Sequence, residues 1–552
     1  MAFWSAVALL TLLAGFWLSG FFTLLILGVG TETHSLLLYL DYVSHWQQDA
    51  YLPFRGRIAV AGLMGFGLPM LLASALAVLG FRKKRSALHG DARFASRSDL
   101  ARKGLLKNHA NGIVVGRYGR SLVRLHGQQF VILAAPTRSG KGVGVVVPNL
   151  LEYGDSVVVL DIKQENFGLT SGWRQQQGHE VFLFNPFAED RRTHRWNPLR
   201  YVSEDAAFRV SDLMGIAAML YPDGADEQKF WVSQARNAFM AFALYLFDCD
   251  SQARAEGFPH SRRPTLGAVY RLSSGDGTPL KPYLQGLAGR TFLSEAGRNA
   301  LANLLSQADE TFASIMGTLK EPLNAWINPV LDAATSEDDF LLTDVRKKRM
   351  TIYVGIQPNK LAESRLIVNL FFSQLINQNT RELPQANPAL KYQCLLLMDE
   401  FTAIGKVDII GSAVAYMAGY NLRLLPIIQS MAQLDAVYGK EVSRTLITNH
   451  ALQIVFAPRE QQDANDYSEM LGYTTVRRTS VTRGKEVSRS EVLERRALML
   501  PQELKAMPAE KEIFFFEGMA HPVMCDKIVY YKDKHFTSRL LPAADVPRLA
   551  LT

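Results

Sequence analysis

The segment Ala135-Pro136-Thr137-Arg138-Ser139-Gly140-Lys141-Gly142 follows an apolar run, 130–134, and precedes a stretch of helical pattern reaching about residue 151. Strand, tight glycine-containing loop and helix start together make an anion cradle. Backbone N–H groups wrap phosphate oxygens, the helix N-terminus adds positive potential, and a lysine reaches the outer phosphates. Residues Ala135, Pro136, Thr137, Arg138, Ser139, Gly140, Lys141, Gly142 and Val143 are therefore the candidate nucleotide contacts, with Lys141 the phosphate-binding cation. The spacing departs from G-x-x-x-x-G-K-[ST] twice. Ala135 stands for the first glycine, and Gly142 for the hydroxyl residue that ordinarily holds Mg2+. A plain strand–helix turn carrying a surface lysine has the same local pattern, so the loop alone leaves both readings open.

A second group tips the balance. The apolar run 395–398 ends in Asp399-Glu400. A strand-end aspartate can hold the metal of a bound nucleotide, and the next carboxylate can polarise water for attack on the terminal phosphate. Asp161, which closes the run 157–160 only 20 residues after Lys141, is the rival, but it has no carboxylate beside it. Metal binding is assigned to Asp399 and base catalysis to Glu400, with Asp161 in a supporting role. Gln429, at the end of the run 422–428, is placed to orient water or sense the γ-phosphate. Arg423, Arg444 and Arg459 are candidates for a charge-stabilising arginine donated by a neighbouring subunit. The cofactors implied are ATP and Mg2+.

These groups need a scaffold that brings distant strand ends together. Short β-branched runs at 113–115, 122–125, 130–134, 157–160 and 181–184 give way after about residue 205 to helical patterns at 206–220, 226–248, 295–307 and 310–326. Strand-like runs resume at 351–356, 394–398, 422–428 and 454–456. Alternating strands and helices predict an α/β domain with a parallel sheet covered on both faces. The middle block reads as an all-α insertion between its two halves. The expected domains are a membrane anchor, 1–85, a first half of the nucleotide-binding domain, 86–204, the insertion, 205–340, and the second half with C-terminal strands, 341–552. Phe230, Trp231, Phe239 and Phe242 have core spacing. Recognition is expected on exposed loops such as 221–227 and 254–263. The Ser/Thr-rich basic run with Arg477, Arg478, Arg483, Lys485 and Arg489 reads as a loop, and the aromatics 514–516 and 530–531 as core strands.

The 552 residues are 48% hydrophobic, too apolar for a disordered chain. Cys249, Cys394 and Cys525 are too few and too scattered for a disulfide scaffold or a cysteine-ligated zinc. The net charge of +8 is local: residues 1–81 carry −1, residues 82–112 carry +7, and the other 440 residues carry only +2. A pI near 9.2 is thus no argument that the large domain grips nucleic acid. Two uncharged stretches, about 4–30 and 58–81, are long enough for transmembrane helices, and Arg82-Lys83-Lys84-Arg85 follows the second. That basic block favours the cytoplasmic side and contact with membrane lipid, putting both termini and the large domain in the cytoplasm and a short loop, about 31–57, outside.

With these motifs in place, the chain resembles the TraG/TraD-type coupling proteins of type IV secretion and conjugation systems. The similarity covers nearly the whole chain. It runs through HGDARFA at 89–95, APTRSGKGVG at 135–144, VVVLDIKQE at 157–165, Asn185-Pro186, Trp196-Asn197-Pro198-Leu199, LLMDEF at 396–401 and IIQSMAQL at 427–434. Gly142 in place of a hydroxyl residue is familiar in that family. The resemblance implies a RecA-like P-loop motor with an inserted all-α domain. It further implies a homo-oligomer, a hexameric ring on the bacterial inner membrane, that works with the inner-membrane components of the secretion channel. Such a ring receives relaxase-bound single-stranded DNA, effector proteins, or both, and passes them on using ATP. The alternatives are a DNA translocase of the chromosome-segregation type and a docking receptor whose nucleotide site only stabilises a ring.

Overall fold

A computed structural model describes residues 2–80, 88–223, 226–258, 263–483 and 487–551. The expectations about Arg82–Arg85 and Lys485, and parts of the loops 221–227 and 254–263, lie outside them. The chain divides into two units, Met1–Leu88 and His89–Thr552.

The first unit is built on two helices, Ala2–Leu27 and Arg55–Gly80. Both are long and apolar enough to cross a membrane. They present leucines outward, Leu9, Leu10, Leu63 and Leu71 among them, and place small residues between themselves. A Cβ on Gly65 would collide with the backbone of Ser19, so the two helices meet there at backbone distance, as helix pairs do where lipid gives no hydrophobic drive to associate. Thr23 returns its hydroxyl to Ser19 O at 2.7 Å.

The second unit is organised by one sheet of eleven strands. Its strands are β1 (Ile113–Tyr118), β2 (Ser121–Leu125), β3 (Val131–Ala134), β4 (Ser156–Asp161), β5 (Glu180–Phe184), β6 (Met350–Gly355), β7 (Cys394–Met398), β8 (Leu422–Ile428) and β9 (Leu452–Val455), with β12 (Lys511–Phe516) and β13 (Val523–Asp526). β10 (Tyr473–Arg483) and β11 (Val487–Ala497) form a separate hairpin. The spatial order is β2-β1-β13-β12-β9-β3-β8-β7-β4-β6-β5. The seven strands from β9 to β5 are mutually parallel. The expected parallel sheet is extended at its other end by β12, β13, β1 and β2, which pair antiparallel. Within that extension, β1–β2 and β12–β13 are joined by short links, which antiparallel pairs tolerate and parallel pairs do not.

Alternation along the strands fills both faces. Val158 and Leu160 join a core with Phe184, Phe239, Phe371 and Leu396, while Val157 and Val159 join another with Leu133, Tyr353, Leu397 and Ile427. Successive residues of a strand point to opposite faces, so this parity needs helices on both sides.

Between β5 and β6 the described residues form helices and no sheet strand: Ala206–Leu220, Lys229–Ala255, Leu266–Ser274, Leu280–Ala288, Glu295–Leu305, Asp309–Leu323 and Pro329–Ala334. The long helix Lys229–Ala255 is their axis, burying Phe239, Phe242 and Phe247. Phe230 departs from the core expectation. It lies in the first turn of that helix and is 53% exposed. Tyr221, expected in an exposed loop, is buried instead, its hydroxyl donating to Leu319 O at 2.7 Å. The Trp196–Leu199 motif seats the block on the sheet. Trp196 is fully buried against Phe184 and Phe371, its backbone N–H bonds Ala334 O at 2.9 Å, and Asn197 Nδ2 donates to Pro264 O at 3.0 Å.

Two further expectations are corrected. The basic run is not a loop but the β10–β11 hairpin, in register from Tyr473↔Ala497 to Arg483↔Val487; its Thr and Val content favours extended backbone despite its charge. Its base carries a partner, since Thr475 N bonds Gly90 O at 3.1 Å and Ala92 N bonds Tyr473 O at 3.1 Å. Tyr530 and Tyr531 lie in a short 3-10 turn, with Tyr531 57% exposed, rather than in a core strand.

Candidate functional site

Neighbouring parallel strands end level with one another, so the segments leaving them converge. Ala134 is level with Ile428 and Val455, Met398 with Pro426 and Leu160. The loop after β3, Asp399-Glu400 after β7, Gln429 after β8 and Asp161 at the end of β4 therefore share the carboxyl edge of the sheet, where open α/β sheets hold their ligands.

The loop is shaped by its own backbone. Ala135 is buried and extended, its N–H bonding Ile428 O at 2.9 Å. That pairing suits a small side chain and accommodates alanine where the pattern has glycine. Ser139 N turns back onto Pro136 O at 3.2 Å, and Gly144 N onto Gly140 O at 2.7 Å. Arg138 and Gly140 lie in the left-handed region, with φ of 61° and 89°, and Gly140 adopts that conformation at little cost. Gly142–Val146 then forms a π-helical turn leading into the helix Val147–Glu152. Asn149 staples this helix to β1, accepting from Val114 N at 2.7 Å and donating to Val114 O at 2.8 Å.

Lys141 reaches from this loop to the acidic pair. Its Nζ lies 3.4 Å from Asp399 Oδ1 and in close contact with Glu400 Oε1. The contact is ionic, and among the described residues Asp399 Oδ1 and Ser139 Oγ, both shut off from solvent, have no hydrogen-bond partner. Orphaned buried oxygens beside a lysine and a cradle of N–H groups fit a metal-bound polyphosphate in the donor set they offer. Glu400 itself sits at φ 56°, a backbone conformation that costs a non-glycine residue energy and concentrates at functional sites. The two carboxylates are tuned apart. Burial raises Asp399, and Lys141 only partly offsets it. Burial also pushes Glu400 up, but Lys141, Gln429 and the charge of Lys163 outweigh it and hold that carboxyl below its usual range. Gln429 links the groups, donating to Glu400 Oε2 and accepting from Thr137 Oγ1, each at 3.0 Å.

Asp161 is engaged otherwise. Phe167 N donates to its Oδ2 at 2.8 Å and Asn166 Nδ2 to its Oδ1 at 3.1 Å. It thus anchors the helix Glu165–Gln176, and burial lifts its carboxyl to about 7.

Arg423 is the sequence candidate the structure moves away from the site. It lies at the opposite end of β8, six residues before Gln429, and is fully buried. It donates to Gln129 O at 2.9 Å, Asn111 O at 2.9 Å and Leu125 O at 3.3 Å. A guanidinium enclosed by its own chain cannot reach a neighbouring subunit's nucleotide. Arg444 and Arg459 are exposed.

One contact was not foreseen. Lys527, just after β13, donates through Nζ to Ser139 O at 3.2 Å. No sequence motif marks it, because 388 residues separate the two and only the fold joins them.

Residues 88–549 match the family described as Type IV secretory system Conjugative DNA transfer. Protein VirD4 of Rhizobium rhizogenes is 30% identical over 490 residues, covering 85% of this chain and 70% of that protein. Conjugal transfer protein TraG of Escherichia coli is 27% identical over 568 residues, covering 91% and 87%. Plasmid coupling protein TrwB in complex with the ATP analogue ADPNP superposes with a TM-score of 0.56 at 17% identity, covering 79% of this chain and 93% of that one; TrwB is also described with ADP and Mg2+. That likeness shows the fold, a RecA-like α/β domain, and the match over most of the chain shows the family: this chain belongs to the type IV secretion coupling proteins.

Proposed function

We propose that the protein is an inner-membrane ATPase that couples ATP hydrolysis to delivery of macromolecular cargo into a type IV secretion channel. The observation that carries this is the convergence of Lys141, Asp399, Glu400 and Gln429 on one edge of the sheet. When bound, ATP with Mg2+ supplies the phosphoanhydride whose cleavage drives the motor. The N–H groups of the loop 135–144 hold the phosphates. Lys141 exchanges its carboxylate partners for phosphate oxygens. Asp399 would hold the metal ion, being a buried carboxylate that a cation would stabilise. Glu400, kept ionised by its surroundings, takes the proton of the attacking water. Gln429 aims Glu400 and ties it to Thr137 on the phosphate loop.

The domain plan is part of the same reading: anchor 1–85, motor halves 86–204 and 341–552, insertion 205–340. The two apolar helices and the family support a multi-pass anchor with both termini and the large domain in the cytoplasm. The anchor would gather the subunits into a hexamer, and Arg444 or Arg459 could then complete a neighbour's site. Family membership supports relaxase-bound single-stranded DNA or effector proteins as cargo and inner-membrane channel components as partners. The test is ATP turnover by the full chain in detergent beside Lys141→Ala. Hydrolysis and nucleotide binding in the wild type, both lost in the variant, support the reading; a wild type that binds no nucleotide ends it.

A further inference from the structure

Lys527 stands outside every motif and yet touches the phosphate loop. Its Nζ is 3.2 Å from Ser139 O and 3.7 Å from the centre of the Phe456 ring. Phe456 is itself fully buried and tied to β3 through its N–H on Ala134 O at 3.1 Å. The lysine's backbone is fixed too, its N–H bonding Glu510 O at 2.7 Å. Among the described residues no carboxylate forms an ion pair with it; Glu512 and Glu510 act on it only through space. A half-buried ammonium is thus aimed at a carbonyl of the loop, with its charge uncompensated at short range.

The chemistry of that carbonyl gives the contact meaning. In a trans peptide the C=O and the following N–H point in opposite directions. Holding Ser139 O toward Lys527 turns the Gly140 N–H away from it. Gly140, at φ 89°, has the freedom to turn otherwise.

Building on the nucleotide reading above, we propose that Lys527 is a positioning residue for the nucleotide phosphates: it fixes the Ser139–Gly140 peptide in the orientation that binds them and lends the loop a second positive charge. The contact is a charge-assisted hydrogen bond, stronger than a neutral one, and a methionine would still pack on the Phe456 ring while removing the charge and the hydrogen bond.

The test compares Lys527→Met, Lys527→Arg and Lys141→Ala with the wild type, each as the full chain in detergent, with ATP and a fluorescent ADP analogue as probes. Lys527→Met should weaken both ligands about tenfold and raise KM similarly, while kcat at saturation stays within about threefold, the signature of lost ground-state binding. Lys527→Arg should recover most of the affinity. Should Lys527→Met fail to fold, Lys527→Gln replaces it with the same expectations. Affinity within about twofold of wild type in the neutral variant overturns the proposal, as does Lys527→Arg binding as weakly as Lys527→Met. Wild-type binding that Lys141→Ala abolishes, with Lys527→Met unaffected, removes only this role for Lys527. Absence of binding in the wild type removes the nucleotide reading and this inference with it.

Discussion

Gln429 donates through Nε2 to Glu400 Oε2 at 3.0 Å, and its amide oxygen accepts from Thr137 Oγ1 at the same distance. The residue therefore ties the proposed base to the loop that holds the phosphates. Gln429→Leu should leave nucleotide affinity within a few-fold and lower kcat by roughly 10 to 100-fold, because Glu400 loses its aim while the cradle stays intact. A loss confined to KM would show that Gln429 serves binding instead. Single-turnover hydrolysis at saturating ATP separates the two.

The acidic residues should rank by their partners. Asp161 is already engaged by Phe167 N and Asn166, whereas Asp399 Oδ1 is buried beside Lys141 and, among the described residues, has no hydrogen-bond partner. Asp399→Asn should abolish Mg2+-dependent turnover, and Asp161→Asn should retain a substantial part of it. Asp161→Asn should show itself in thermal unfolding. The reverse order in a Mg2+-titrated ATPase assay would mean the metal-holding role had been given to the wrong carboxylate.

Glu512 offers a pH test. It is fully buried on β12, accepts a hydrogen bond from the Cys525 thiol at 3.4 Å, and is pushed up to about 8 by burial. Its folded-state pKa lies above its unfolded value, so the stability it contributes is present below about pH 4.5 and is lost as pH rises towards 8. Glu512→Gln, which cannot ionise, should escape that loss. Relative to its standing near pH 4.5, the variant should gain on the order of 3 kcal/mol over wild type by pH 8. Denaturant melts of the full chain at both pH values measure it. Equal pH slopes for the two proteins would contradict the assignment.

Arg423 gives the converse case. Arg423→Ala leaves the carbonyls of Gln129, Asn111 and Leu125 without the donor they share. It should cost roughly 2 to 4 kcal/mol of stability while ATP turnover per folded molecule stays near wild type. Arg459→Ala should leave stability unchanged and lower turnover if that residue completes a neighbouring site. Unfolding curves beside turnover normalised to folded protein separate the two arginines.

The helical block between β5 and β6 carries none of the convergent site residues. Exchanging residues 205–340 for the block of a relative that moves different cargo should transfer cargo preference and leave ATPase activity in place. Preference that stays with the rest of the chain would assign recognition elsewhere.

Legibility in the sequence tracks the range of the forces involved. Lys141 and the strand ending at Asp399 were legible because a phosphate loop and a strand-end acidic pair are local patterns. The helical block was legible because helical and strand periodicities differ. The antiparallel extension by β12, β13, β1 and β2 was not, since pairing partners of short strands are set by topology rather than by residue type. Arg423 misled because an arginine in a strand next to the site reads the same whether it faces a neighbour or caps its own chain's carbonyls. The hairpin misled because its Thr and Val residues favour extended backbone, which the charge alone does not signal. Lys527 was invisible because its partner is on the far side of the sequence.

The most direct measurement of the central claim is made on Glu400→Gln, in full-length protein, with nucleotide affinity and ATP hydrolysis read from the same preparation. Glu400 contacts Lys141 and Gln429 and lies beside Asp399, so the amide keeps the size of the side chain and removes the carboxylate that would accept the proton. The account predicts ATP binding within a few-fold of wild type and hydrolysis reduced by about 100-fold or more. Wild-type hydrolysis by this variant would contradict it, because the carboxylate at the end of β7 would then not be the base.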